Sequence, residues 1–558
     1  MRAGLTERIT EEQSLNRQFV AGADFGSDSV RVVIVDVHSG ETLSQGVCNY
    51  PRWAKRLYCD PEHNQFRQHP LDYIEAFTKA FLEALAIAGD EAREGLRAIG
   101  FDCTGSTPCP VDEKGTPLAL LPEFAENPNA MFHLWKDHTA QEEAKEINRV
   151  FSEGPVDYLK YQGIYQSEWF WAKVLHTTRI DPAVREAAFT WMEHADWMPA
   201  LLTGNTDPAN AYRDSCAAGH KLLWNSEFGG LPDAETLSKL DPYLAKVAER
   251  FPKEGPRPSC TAVGTISKEW AEKLGVRDDV LIAGSSLDAH AGGVGAGAQL
   301  HTLVKVVGTS AVDMTVEHRE NFAGKDTKAY LGLAEDSIIP GLMGVEAGQA
   351  GFGDVYAWLR ETLLWPIREV AKDEAMYEQL RDRLLYEMEK RIDDEKLNED
   401  LVSIEWLNGR RYPNLNENAK GAITGIKMGT SVPDLYRSLI LGTLFGAKRM
   451  FDGYVEKGVE VERMVLVGGI AKKSSYIMQL MADLFDRPIM VAQETQMCAK
   501  GAAMFAAVAA GYYESLPAAQ EVFCEKYEAN FFPNKENAKR YEGLYRKYCE
   551  IGAFVDQI

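Results

Sequence analysis

Phe19-Val20-Ala21-Gly22-Ala23-Asp24-Phe25-Gly26-Ser27-Asp28-Ser29-Val30-Arg31-Val32-Val33-Ile34-Val35-Asp36 is the stretch on which the fold turns. Its first residues are apolar, its middle is Asp24 to Ser29, and its second half is rich in β-branched side chains, so it reads as strand, tight polar turn, strand. Gly26 lets the backbone bend closely, the amides after it can point at phosphate oxygens, and Asp24 can face a metal ion. Taken alone the turn is weak evidence, because Gly, Ser and Asp build turns whatever their function. Far along the chain the pattern recurs: Leu303-Val304-Lys305-Val306-Val307 enters Gly308-Thr309-Ser310-Ala311 and continues as Val312-Asp313-Met314-Thr315-Val316. Each copy opens a long run of mixed strands and helices, which points to an α/β chain built from two related domains rather than a short-period solenoid. Two matching turns in two domains are expected to close on a triphosphate from opposite sides, which gives the duplication a mechanical purpose.

Working outward, Ala98-Ile99-Gly100-Phe101 and Val280-Leu281-Ile282-Ala283 read as buried strands, and Tyr73 to Ala88 has helical spacing. Val370 to Asp400 is charge-rich and reads as a solvated helical insertion. Val465-Leu466-Val467-Gly468-Gly469-Ile470 is a strand ending in two glycines before a helix capped by Ser474. Tyr541, Leu544, Tyr545 and Tyr548 form a packing stripe on a C-terminal helix. The expected division is a polar leader over 1–17, an N-terminal domain over 18–297 and a C-terminal domain over 298–558, with the boundary near Gly295 to Leu300.

A chain of 558 residues is too long for one core, so an interdomain cleft is available. With 60 Lys plus Arg against 83 Asp plus Glu, the formal charge of -23 repels nucleic acid and anionic membrane alike. A bound nucleotide must then be held by local devices: backbone amides, a helix start, a divalent ion. No long apolar run and no secretory leader is present, so a cytoplasmic protein is expected. The nine cysteines form no CxxC pair and no zinc-spaced set with His, and read as reduced thiols. Oligomeric state is undecided by the sequence, and a homodimer stays open.

Asp288 stands in Gly284-Ser285-Ser286-Leu287-Asp288-Ala289-His290-Ala291-Gly292-Gly293, just past a buried strand. A carboxylate there, near a metal without ligating it, can accept the proton of a substrate hydroxyl during phosphoryl transfer; a turn or helix-cap aspartate is the plainer reading. His290 reads as structural. Gly293-Val294-Gly295-Ala296-Gly297-Ala298 matches the dinucleotide fingerprint formally, but it lies far from the N-terminal strand, and helix packing through small residues explains it equally well. Lys500-Gly501-Ala502-Ala503 opens another helix of small residues suited to close packing. Gly468 and Gly469 allow close approach to a nucleotide or simply turn the chain. Trp135-Lys136-Asp137-His138 and Glu168-Trp169-Phe170-Trp171 combine aromatic faces with charge, a mixture found in sugar sites and in cores.

Together, Asp24 to Arg31, Gly105-Ser106-Thr107-Pro108, Leu134 to His138, Gly219-His220-Lys221, Asp288 with its glycines, Gly308-Thr309-Ser310, Glu346-Ala347-Gly348-Gln349 and Gly468-Gly469 resemble the FGGY carbohydrate kinases, and within them those acting on L-ribulose. The resemblance runs from about Phe19 to Tyr548 and includes uncommon strings such as Pro122 to Phe132 and Ser167 to Lys173. It implies an actin-like fold of two ribonuclease-H-like domains around a cleft that holds Mg-ATP, and transfer of the γ-phosphate to the C5 hydroxyl of L-ribulose, as in L-arabinose catabolism. By the same carry-over Asp288 is the general base and Asp24 the magnesium residue. Gly26, Ser27, Asp28, Ser29, Gly308, Thr309 and Ser310 would hold phosphates, Gly468 and Gly469 the nucleoside side, and Gly105, Ser106, Trp135, Lys221 and Glu346 the sugar. The alternatives are an FGGY kinase for D-ribulose, xylulose or a pentitol, and a non-catalytic actin-like ATP-binding protein. Cys103 beside Thr104, and Ser285-Ser286-Leu287 before Asp288, depart from the family pattern near the sugar pocket.

Overall fold

A computed structural model of the chain describes residues 17–328, 332–524, 527 and 530–557, so the polar leader lies outside the described residues except for Arg17. The chain divides into two compact units. The first comprises Met1–Gln299, Leu333–Gly344 and Glu494–Glu525; the second comprises Leu300–Gly332, Val345–Gln493 and Lys526–Ile558. The division after Gln299 lies two residues beyond the boundary drawn at 297/298, and the first unit recruits two segments from much later in the chain.

In the first unit β1 (Phe19–Phe25), β2 (Ser29–Asp36), β3 (Thr42–Asn49), β4 (Leu96–Cys103), β5 (Ala262–Thr265) and β6 (Leu281–Leu287) form one sheet in the order β5-β6-β4-β1-β2-β3. The opening hairpin pairs β1 antiparallel to β2, with Asp24 opposite Arg31. β4 runs parallel to β1, with Asp24 beside Asp102, and β6 runs parallel to β4, with Ser286 beside Asp102. All residues of β1 are buried, because both faces of the sheet are covered.

Alternation along β1 decides what each face meets. Phe19, Ala21, Ala23 and Phe25 enter a core with Phe77 and Phe81 of the helix Pro70–Ala88. Gly22 and Gly100 face the helix Met497–Ala509 on the other side, and the fit is so close that a Cβ on Gly22 would lie 1.8 Å from the Ala499 carbonyl oxygen and one on Gly100 2.1 Å from that of Ala502. The helix Asp288–Gly295 crosses Met497–Ala509 with the same economy: a Cβ on Gly501 would stand 2.0 Å from the Ala291 oxygen, and one on Gly295 2.0 Å from that of Met497. Both runs of small residues therefore serve helix packing.

The second unit repeats the plan. β7 (His301–Val307), β8 (Ala311–Glu317), β9 (Met343–Gln349, in this unit from Val345), β10 (Val461–Val467) and β11 (Ile489–Val491) lie in the order β9-β8-β7-β10-β11. β7 pairs antiparallel to β8 with Lys305 opposite Asp313, while β10 is parallel to β7 and β11 parallel to β10. Hairpin, third strand outside it, then two parallel strands on the other edge: the sequence of strands in space matches β3-β2-β1-β4-β6. The duplicated, ribonuclease-H-like α/β architecture is thus present in each unit. Lys305 and Asp313, both buried, form an ion pair at 2.6 Å that also receives the Tyr454 hydroxyl at 2.7 Å. The charge-rich insertion holds the helix Glu374–Glu389, and Tyr541, Leu544 and Tyr548 are buried on the helix Lys535–Val555. All nine cysteines are free thiols.

Candidate active site

Because Gly22 and Asp24 share a face of β1, and Gly100 and Asp102 share a face of β4, both carboxylates emerge on the side covered by Met497–Ala509, level with its first turn. The oxygens of Asp24 and Asp102 and the Cys498 sulfur lie within 4.8 Å of one another. Asp288 begins the helix that follows β6. Three adjacent parallel strands therefore each end in an aspartate.

Asp24 is 5% exposed and pairs with Arg31 at 3.0 Å; burial nevertheless raises its pKa, the guanidinium opposing the rise. Asp102 is fully buried, and neither of its oxygens receives a hydrogen bond from an N–H or hydroxyl donor among the described residues; it lies close enough to the Asp24 carboxyl to share a proton with it. Burial first, then the charges of Asp24 and Asp288, push its pKa well up. Burial and the same three carboxylates push the Cys498 thiol up as well, and its sulfur is a soft donor that a hard cation does not select. A buried carboxylate that no N–H or hydroxyl reaches, facing a second carboxylate, is the donor set of a hard cation such as Mg2+, so Asp24 and Asp102 fit the ion and Cys498 does not.

The turn after β1 is ordered by its own bonds: Gly26 N–H donates to the Ser29 oxygen at 3.0 Å, and the Asp28 carboxylate accepts from Trp53 Nε1 at 2.6 Å. Trp135 Nε1 donates to Ser27 Oγ at 2.8 Å, joining a residue expected to face sugar to one expected to face phosphate. Gly105 abuts Leu287, the residue before Asp288, so closely that a Cβ there would stand 2.2 Å from a Leu287 methyl. Ser106 Oγ donates to Glu193, which also accepts the Thr107 N–H at 2.6 Å. Lys173, with no exposed surface, donates to the carbonyls of Ser106 and Leu134, each at 2.8 Å, and of His133 at 3.2 Å. One ammonium thus ties the Gly105-Ser106 turn to the loop that carries Trp135. Burial drives Lys173 down and Glu193 up in pKa. Lys221 ends the helix Ser215–Lys221 with its ammonium 5.2 Å from the Trp169 ring centroid.

In the second unit, Gly308 N–H donates to the Ser310 oxygen at 2.9 Å, while Gly353 N–H donates to Gly308 and Phe352 N–H to Thr309, each at 2.9 Å. The turn is therefore stitched to the start of the helix Gly353–Trp365. Gly468, at φ 118°, lies under Val307, whose oxygen a Cβ would approach to 2.3 Å; only glycine fits. Gly469 faces open space, a short helix Gly469–Lys473 follows at once, and Ser474 caps the next helix by accepting from Ile477 N–H at 3.1 Å. Glu346 lies on β9, also in the second unit. Gly308, Thr309, Ser310, Glu346, Gly468 and Gly469 are thus placed within their own unit, and Asp24, Gly26 to Ser29, Gly105, Ser106, Trp135, Lys221 and Asp288 within the other.

Comparison with known proteins decides the family. The FGGY family of carbohydrate kinases, C-terminal domain, matches residues 303–510. A ribulokinase of Vibrio parahaemolyticus is 42% identical over 550 residues, 97% of each chain, and one of Shouchella clausii is 33% identical over 548 residues, 96% of this chain and 95% of that one. The chain belongs to the FGGY family of carbohydrate kinases. Solved kinases of lower identity share the fold: a xylulose kinase of Lactobacillus acidophilus has TM-score 0.76 at 19% identity, covering 97% of this chain and 98% of that one. A glycerol kinase of Plasmodium falciparum also has TM-score 0.76, at 16% identity, covering 96% and 98%.

As a carbohydrate kinase the chain has two features that sequence reasoning passed over. Asp102 was signalled by a buried strand ending in Asp-Cys-Thr-Gly-Ser, but its importance depends on the parallel register with β1, which no local pattern reveals. Glu193 and Lys173 gave no signal at all as a pair, since they meet only through Ser106.

Proposed function

We propose that this FGGY kinase transfers the γ-phosphate of ATP to the C5 hydroxyl of L-ribulose, yielding L-ribulose 5-phosphate in the cytoplasm. The convergence of Asp24, Asp102 and Asp288 at three neighbouring strand ends carries the chemistry, and the near full-length identity to ribulokinases supports the sugar. Asp24 and Asp102 would hold Mg2+, which when bound offsets the charge on the phosphates. Asp288, half-buried at the first residue of its helix and held by Ala289 N–H at 2.7 Å, takes the proton of the attacking hydroxyl. Arg31 keeps the Asp24 carboxylate oriented. The amides of Gly26 to Ser29 and of Gly308 to Ser310 bind phosphate oxygens, and Gly468 with Gly469 borders the nucleoside. Within the first unit Gly105, Ser106, Trp135 and Lys221 contact the sugar; Lys173 and Glu193 set the positions of the first two, so that the reacting hydroxyl is oriented before transfer.

The test is enzyme-linked ADP release with Mg-ATP across L-ribulose, D-ribulose, L- and D-xylulose and the pentitols. The highest kcat/KM is expected for L-ribulose. A tenfold preference for another ketopentose would replace the sugar, and ATP turnover that no sugar stimulates would remove the kinase reading.

A further inference from the structure

Two helices of the first unit bring a second donor cluster together. The helix Ser215–Lys221 starts on the Asp214 carboxylate, which accepts the N–H groups of Cys216 at 3.1 Å and Ala217 at 2.8 Å. One helical turn separates Cys216 from His220, so both side chains leave the same face. That face meets His290, the third residue of Asp288–Gly295. The donor atoms of Cys216, His220 and His290 lie within 4.8 Å of one another, and all three residues are buried. His220 Nε2 and His290 Nε2 are 3.1 Å apart. Two imidazole nitrogens bound to one tetrahedral Zn2+ at about 2.05 Å would stand about 3.3 Å apart, so the separation of the pair matches that of a shared ion once the rings tilt toward it.

The surroundings set the tautomer. Gln162 donates its amide to the Leu333 carbonyl at 2.7 Å and more weakly to Gly219 at 3.4 Å, which turns its Oε1 toward His220 Nδ1 at 3.3 Å. Nδ1 of His220 therefore carries the hydrogen and Nε2 presents its lone pair to His290. An imidazole held through its far nitrogen by an amide or carboxylate is the usual outer support of a metal-ligating histidine. The Cys216 thiol lies beside Ser286 and the Leu287 backbone, and burial holds it protonated.

We propose that Cys216, His220 and His290 form a binding site for a divalent ion of the zinc class, distinct from the Asp24–Asp102 site, and that its occupancy lowers kinase turnover. Two imidazole nitrogens with one thiolate sulfur select a borderline-soft ion over Mg2+ and leave a fourth position for water or a hydroxyl. Binding releases one proton, from the thiol, and moves the His290 hydrogen from Nε2 to Nδ1. The inhibitory part rests on the function proposed above: Lys221 follows His220 directly, and Asp288 precedes His290 by two residues, so clamping the two helices together fixes the sugar-facing lysine and the base.

Co2+ titration in excess Mg2+ tests the site without reference to activity. One Co2+ per chain with a thiolate charge-transfer band, displaced by Zn2+, is expected, and the band should vanish in Cys216→Ser and persist in Cys498→Ser. Gln162→Leu, which leaves all three donors in place, should weaken Co2+ affinity about 10- to 100-fold and covers the case in which a ligand variant misfolds. No band in the wild type, or an undiminished band in folded Cys216→Ser, overturns the site. Stoichiometric Zn2+ should inhibit ADP release in the wild type, reversibly with chelator, and not in Cys216→Ser; unchanged wild-type turnover overturns the regulatory role. A chain that turns over with no sugar would sink the proposed function while leaving the Co2+ result readable.

Discussion

Asp102→Asn should make the metal-free enzyme more stable and nearly inactive. In the wild type a fully buried carboxyl accepts no hydrogen bond from any N–H or hydroxyl donor among the described residues and faces Asp24, with which it can share a proton, and the charge of Asp288. At neutral pH it must either stay charged beside two like charges or take up a proton that the unfolded chain does not bind, and both cost free energy. An unsatisfied buried polar group costs about 1–3 kcal/mol, and more when charged. Asparagine keeps the shape, carries no charge and can donate its amide to a neighbouring carboxylate, so a gain of about 2 kcal/mol is expected in EDTA. The sign with pH follows: a carboxyl whose pKa is raised by folding contributes its stability below its ordinary value of 3.8 and loses it as pH rises. The variant's advantage should therefore be full at pH 7.5 and shrink toward pH 4. With Mg-ATP the order reverses. The wild type should gain stability by ligand binding, about 2.7 kcal/mol at a hundredfold excess over Kd, whereas the variant, short of one ligand oxygen, should gain little and lose about 100-fold or more in kcat. Calorimetric melts with EDTA and with Mg-ATP, beside ADP release with L-ribulose, measure all three. A variant that melts below the wild type in EDTA, or keeps kcat within threefold, would refute the reasoning.

Asp288→Asn should still bind Mg-ATP, measured by calorimetry, and lose about 10²- to 10⁴-fold in turnover; a tenth of wild-type rate would exclude a base at this position. Glu405, fully buried and hydrogen-bonded by Tyr548 at 2.9 Å, has a pKa pushed up from 4.5 to about 7, chiefly by burial. Its contribution is whole below pH 4.5 and lost as pH passes 7, so Glu405→Gln should stabilise the chain by up to about 3 kcal/mol at pH 8 and by nothing at pH 4, read from melts across that range. Gly501→Ala puts a methyl 2.0 Å from the Ala291 oxygen and must push Asp288–Gly295 away from Met497–Ala509. It should cost about 1–3 kcal/mol or more and lower kcat together with Tm, because Asp288 rides on one of these helices; unchanged melting would contradict the packing.

What was legible in the sequence, and what was not, separates along one line. Hairpins are local, so Phe19 to Asp36 and Leu303 to Val316 announce themselves, and their recurrence announces the duplication. The positions of Asp24, at the end of the first strand of its hairpin, and of Asp288, directly after a buried strand, are local in the same way. Asp102 is different. Its side chain becomes chemically significant only because β4 lies parallel to β1 in a register that sets it beside Asp24, and a parallel register is fixed by a long crossover, a dozen residues or many more, rather than by any turn. Lys173 and Glu193 are further removed still: each is an ordinary charged residue until the Ser106 turn joins them. The return of 494–525 to the first unit has the same origin, since a helix of Ala and Gly carries no mark of which sheet it will cover, and only the missing side chains of Gly22 and Gly100 on the partner strands make the choice. The turns proposed to bind charge by backbone geometry are therefore written locally, whereas the carboxylates whose pKa burial shifts are brought together by the pairing of distant strands. It follows that a substitution at Gly22 or Gly100 should disturb the carboxylate cluster as surely as one at Asp102, because those glycines set the depth at which Met497–Ala509 closes over it.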